Sequence, residues 1–154
     1  MREHFPMYER FADRDFGALP ETSLARIMDI NAHLSRTLWS AWVSRKYPHL
    51  CTIPAVERPA PLARAHSDWE QVSEGRALIQ RLLGCSISPA AVIVHFWSPM
   101  YAVHTQASLF LQHWDDFWYP SDDNDVLVFP HLALRIEFVE ERLCVYRIEQ
   151  SSTS

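Results

Sequence analysis

Glycine is nearly missing from this 154-residue sequence, with three residues against ten prolines. That scarcity excludes collagen-like and flexible-linker architectures and leaves little material for phosphate-cradling loops. No Walker loop, dinucleotide fingerprint or G-x-S-x-G nucleophile turn is present. Cysteine is sparse too: Cys51, Cys85 and Cys144 are odd in number and at least 34 residues apart, which fits neither a disulfide framework nor a CxxC site. Cys144, inside Leu143-Cys144-Val145, is expected to be a core thiol, and the natural compartment is a reducing cytoplasm. No run of 18 apolar residues occurs, so no membrane partner is expected, and Met1 to Pro6 lacks the apolar stretch of a secretion signal.

What is present is the balance of a folded domain: 48% apolar and 21% charged residues. The length fits one domain over 1–154. The net charge of −5 is unevenly spread. Residues 1–88 hold eleven basic and ten acidic side chains, whereas 89–154 hold three and nine. Five of those nine are aspartates between Asp115 and Asp125, a stretch without lysine or arginine. Phosphate neutralisation needs the opposite sign, so a direct nucleic-acid partner is not expected. A concentrated acidic patch instead attracts a basic protein.

The aromatic-rich residues 1–21 predict an arm packed on the body as a short edge strand. From Leu24, apolar residues recur through Ile27, Met28, Ile30, Leu34, Leu38, Ala41 and Trp42, predicting a long helix to about Arg45. Pro48, Pro54, Pro59 and Pro61 make 47–65 an extended connection lying against the core. Asp68-Trp69-Glu70 reads as a turn or short helix. Glu74 to Leu83 reads as a helix capped by Gly84, which closes a helical part over 22–84.

The period then changes. Strands are predicted at 91–97, 101–105, 125–129, 132–139 and 142–149 within a β-rich part spanning 91–149, with a short helix from Gln106 to Trp114 and a tight turn at Glu140-Glu141. Helices first and strands after predict an α+β fold, with N-terminal helices packed on one face of a four- to five-stranded, mainly antiparallel sheet.

His95, His104 and His113 fall nine residues apart, followed by Asp115 and Asp116. If they converged, they would suit a metal-dependent hydrolase. No HExxH or HxH signature supports that, and no cofactor, metal or catalytic residue is expected. The most specific feature is the segment from Gln112 to Asn124. Trp114 and Phe117, three apart, share a helical face and read as core anchors. Asp115, Asp116, Trp118, Tyr119, Asp122, Asp123 and Asp125 read as an outward partner-binding surface, combining aromatic area with acceptor-only charge.

Leu38-Trp39, Trp69 and the run Trp114-Asp115-Asp116-Phe117-Trp118-Tyr119-Pro120-Ser121-Asp122-Asp123-Asn124 resemble small bacterial domains of uncharacterised or immunity type, in which a helix with a Leu-Trp pair precedes a sheet and a W-x-x-F-x-x-P/D-x-D-D segment follows a strand. The resemblance covers 22–148 in layout. It implies a cytoplasmic immunity protein, of the kind paired with type VI secretion effectors, that neutralises a cognate toxin with a basic surface; a nuclease is one candidate. The metal-dependent hydrolase is the alternative, and a homodimer through a sheet edge a further expectation.

Overall fold

Seven strands form one antiparallel sheet in the order β1-β4-β3-β5-β6-β7-β2 in a computed structural model describing residues 8–12, 19–66, 72–117, 124–139 and 142–148. The strands are β1 (Met28–Ile30), β2 (Ala63–His66), β3 (Val92–Ser98), β4 (Tyr101–Gln106), β5 (Val126–Phe129), β6 (Leu134–Val139) and β7 (Arg142–Arg147). The helices are α1 (Tyr8–Ala12), α2 (Glu21–Leu24), α3 (Ala32–Trp42), α4 (Val72–Leu83), α5 (Ala107–Gln112) and α6 (Trp114–Phe117). The fold is α+β, with more strands than the four or five expected.

The two additional strands are the sheet's edges, and both come from segments whose local pattern pointed elsewhere. β1 interrupts the long helix expected from Leu24. Met28 and Ile30 satisfy a helical period, but their backbone pairs with His104 and Ala102 of β4. The helix restarts at Asn31, whose side-chain Oδ1 accepts the Leu34 N–H at 2.9 Å and so satisfies a free first-turn donor. Thr105 Oγ1 donates to the Arg26 carbonyl at 2.9 Å and ties the break to β4. β2 begins just after Pro61, where the proline run ends and backbone donors return; Leu62 N–H already bonds Val145 O at 2.8 Å. The rest of the connection is wound into two 3-10 turns, Leu50–Thr52 and Ala55–Glu57. It is stapled to the body by Asn124, which accepts from Leu50 N and donates to Pro48 O.

Helices cover both faces of the sheet, not one. The cause is visible in β3 and β5, whose apolar residues run without alternation and therefore need cover on both sides. Ile93, Trp97, Leu127 and Phe129 pack in one cluster with residues of α1, α4, α5 and α6. Val94, Phe96, Val126 and Val128 pack in a second with Trp39 of α3 and Leu50 of the connection. Phe11 shows that the arm enters the core as helix rather than edge strand; its ring lies 4.9 Å from Phe117 and 5.9 Å from Trp97. Gly84 ends α4 at φ +66°, the left-handed cap its position predicts. Asp68-Trp69-Glu70 and Glu140-Glu141 lie outside the described residues; β6 and β7 pair in register up to Val139 and Arg142.

Candidate functional site

The acidic segment divides between core and surface. Trp114 and Phe117 are buried on α6, as their spacing predicts, and the Phe117 carbonyl accepts the Trp97 indole N–H at 2.8 Å. This clamps the short helix and turns Asp115 to solvent, with Asp116 half-buried. Asp125 corrects the expectation of an outward surface: it is 0% exposed, and its Oδ1 lies 3.5 Å from His95 Nε2 in the interior. Desolvating a carboxylate is costly without compensation, and the imidazole beside it supplies a polar neighbour. Asp125 therefore belongs to the sheet's interior. Trp118, Tyr119, Asp122 and Asp123 lie outside the described residues.

The histidines do not converge. His95 pairs across the ladder with Val103, and His104 with Val94. Directly opposed residues share a face and neighbours in one strand alternate, so His95 and His104 point to opposite sides of the sheet. His95 is buried among Trp97, Phe110 and Phe117. His113 follows α5, with Nδ1 3.8 Å from Asp116 Oδ2. Among the described residues no group of three His, Cys, Asp or Glu side chains is placed to hold a metal.

A different site emerges on the α3 side of the sheet. A cleft of about 760 Å³ opens between the end of α3, the 3-10 connection and the outer parts of β6 and β7. Its floor is Glu137 and Tyr146, both buried. Its walls include Trp42, Tyr47, Ile53, Arg58 and Arg135, all half-buried, while Arg45, Lys46 and Glu57 stand exposed at the rim and Arg147 contributes its backbone carbonyl. Four basic side chains, Arg45, Lys46, Arg58 and Arg135, and two acidic ones meet here, a local surplus of two positive charges in a chain of net −5. The carbonyl end of α3 also faces this region and contributes partial negative charge, which Arg45 and Lys46 offset.

Most of these charges hold one another in place. Arg135 donates from Nε to Glu137 Oε2 at 3.2 Å, places Nη2 3.2 Å from the same oxygen and donates from Nη1 to Arg147 O at 3.2 Å. Its guanidinium lies 5.0 Å from the centre of the Tyr146 ring. Arg58 donates to Leu50 O and approaches the other carboxylate oxygen, Glu137 Oε1, only to 3.9 Å. At the rim Tyr47 OH donates to one Glu57 oxygen, and Lys46 Nζ lies 3.1 Å from the other. The Tyr47 hydrogen bond first, and Lys46 second, hold the Glu57 carboxyl below its usual range; the bond to Glu57 pushes the Lys46 amine up. Burial, then the charge of Glu137, raises the Tyr146 phenol and keeps it protonated at neutral pH. Arg45 has no side-chain partner among the described residues and is the uncommitted cation of the site; Arg147, registered opposite Leu134, sends its side chain to the other face of the sheet.

Sequence reasoning missed this cleft because its charges are dispersed over 45–58 and 135–137, and the second group sits in the acidic half. The strand pattern held the signal. Arg135 and Glu137 alternate with Ile136 and Phe138, and Tyr146, directly opposite Arg135, follows the inward Val145. A strand face built from arginine, glutamate and tyrosine is a better site marker than regional net charge.

No curated protein and no solved structure matches the chain. One family model, described as "Protein of unknown function (DUF2947)", matches residues 4–144, a span that takes in both edge strands, most of the cleft and the anchored helix α6, and the chain belongs to that family.

Proposed function

We propose that the protein is a ligand-binding module whose working site is the cleft beside β6 and β7, and that its ligand is a small anion. The observation that carries this reading is the convergence of four basic side chains on one concavity in an acidic protein. The cleft volume falls within the roughly 300–1,000 Å³ of small-molecule sites. The Arg135–Glu137–Arg58 arrangement supports the reading by fixing the floor, so the site needs little ordering when occupied. Titration calorimetry against orthophosphate, citrate and nucleoside monophosphates tests it. At least one anion should bind, with affinity falling as salt rises, and the rim variant Arg45→Glu with Lys46→Glu should lose that binding at unchanged circular dichroism. Absence of binding across the panel, or equal binding by the variant, overturns it.

A second reading concerns the other side of the sheet. Asp115 is exposed on a helix whose Trp114 and Phe117 are held in the core, a rigid mount for a docking carboxylate. This favours a cytoplasmic immunity role, with Asp115 and Asp116 meeting the basic surface of a toxin, such as a nuclease, encoded by a neighbouring reading frame. Replacing Asp115, Asp116, Asp122 and Asp123 by lysine should weaken capture of that toxin without unfolding the protein. Unchanged capture would remove this reading.

A further inference from the structure

The proline-rich connection between α3 and β2 holds apolar surface that the cleft does not use. Among the described residues, the two most exposed large apolar side chains both lie on it: Val56 is 94% exposed and Leu62 55%. Pro54, Ala55, Pro59 and Ala60 around them are exposed as well. Apolar surface gathered in this way marks a contact site, whereas single scattered residues need no explanation. The segment is not free to fold these side chains inward. Glu57 is held by Tyr47 and Lys46, Arg58 donates to Leu50 O, and Leu62 N–H bonds Val145 O at 2.8 Å. Val56 therefore stands in the middle of a clamped 3-10 turn, outside the cleft lining, where a small anion in the cleft leaves it bare.

The same connection is basic. Residues 43–66 hold four basic side chains, Arg45, Lys46, Arg58 and Arg64, against the single acid Glu57, in a chain of net −5. Val56 adjoins Glu57, whose carboxylate lies 3.1 Å from Lys46 Nζ, so the apolar turn and the rim cations border one another. Arg64 stands opposite Cys144, which stands opposite Glu137 of the cleft floor, so Arg64 is on the cleft's face of the sheet. It is exposed and, like Arg45, has no side-chain partner among the described residues. We propose that this connection docks the protein on anionic lipid membranes, with Val56 and Leu62 entering the headgroup layer and the four cations meeting lipid phosphates. An anionic bilayer attracts dispersed cations and receives a protruding apolar side chain without a pre-shaped pocket, which a protein partner would have to supply. No helix among the described residues is long and apolar enough to cross a membrane, so the contact lies in the interface. The docking surface goes beyond the anion-cleft reading, because Val56, Leu62 and Arg64 are not part of the cleft lining.

Cosedimentation of the full chain with vesicles of phosphatidylglycerol, which are anionic, and of phosphatidylcholine, which are net neutral, tests this. The chain should sediment with the first and not with the second, and less as salt rises. Val56→Asp should weaken vesicle binding by about tenfold at unchanged circular dichroism, since it removes inserted apolar area and adds a repelled charge. Val56→Leu adds one methylene to the inserted side chain and should tighten binding by about fourfold. Arg64→Ala should weaken it by about fivefold, the weight of one cation at an anionic surface. No sedimentation with phosphatidylglycerol overturns the proposal and leaves the exposed apolar segment to a protein partner. Parent-like binding by Val56→Asp or by Arg64→Ala overturns it as well, because the attraction would then not run through this surface. Soluble anions that bind while vesicles do not would remove the docking surface and leave the cleft.

Discussion

His113 shows how burial and charge compete at one residue. It follows α5 beside the exposed Asp115, and its Nδ1 is 3.8 Å from Asp116. Partial burial disfavours the imidazolium more than the charge of Asp115 favours it, so the net effect lowers the histidine below its usual 6.5. The unfolded chain consequently takes up a proton more readily than the folded one. The stability this contributes is fully present above 6.5 and is lost as pH falls through the lower folded value. His113→Gln should therefore lose less melting temperature than the parent between about pH 7 and about pH 5. Thermal denaturation of both proteins across that range checks this, and equal losses would mean the imidazole titrates as it does in the unfolded chain. The buried pair of His95 and Asp125 is a contrasting residue-scale feature. Its position in the sheet was not legible, because an aspartate ending a run of acidic residues looks like a surface residue until Val126 to Phe129 draws it inside.

At the scale of elements, legibility followed the strength of the local signal. The core strands β3, β5, β6 and β7 were readable because β-branched and aromatic runs bounded by prolines or polar turns have few other solutions. α4 and its Gly84 cap were readable for the same reason. The edge strands were not. Met28 to Ile30 fits a helical stripe, and only pairing with β4, together with the Asn31 cap, decides it as strand. Leu34, counted inward by that stripe, is 44% exposed, whereas Trp39 is the residue α3 buries deeply. The break rotates the helix, so a stripe drawn through 24–42 cannot describe both halves. The cleft depends on the same break: α3 ends at Trp42, and Trp39 Nε1 then donates to Tyr47 O at 3.0 Å, holding the 43–47 turn over the floor. A site assembled from the end of one helix, a proline-rich connection and two distant strands leaves no contiguous motif to read. Trp114 and Phe117 gave the opposite case, a local spacing that marked both anchors correctly.

At the scale of the whole molecule, the two-sided sheet makes the halves of the core interdependent. β3 and β5 present Ile93, Trp97, Leu127 and Phe129 to one helical layer and Val94, Phe96, Val126 and Val128 to the other. Neither layer can detach without exposing strands that the other still covers, and a sheet bare on one apolar face loses much of its reason to stay paired. The layers should therefore unfold together, although α3 and α6 share no direct packing cluster. Phe117→Ala removes a fully buried ring from one face and Trp39→Ala one from the other. Each should cost about 3–5 kcal/mol, with a fall of about 2–4 °C in melting temperature per kcal/mol for a chain this long. In both variants calorimetry should record a single transition moved downward, with calorimetric and van't Hoff enthalpies still equal. A low-temperature step appearing only in Trp39→Ala would mean that the α3 layer, and the cleft it walls, melts as a separate unit. Anion binding would then be lost before the sheet unfolds, so following binding through the same temperature range locates the cooperative boundary independently of the heat signal.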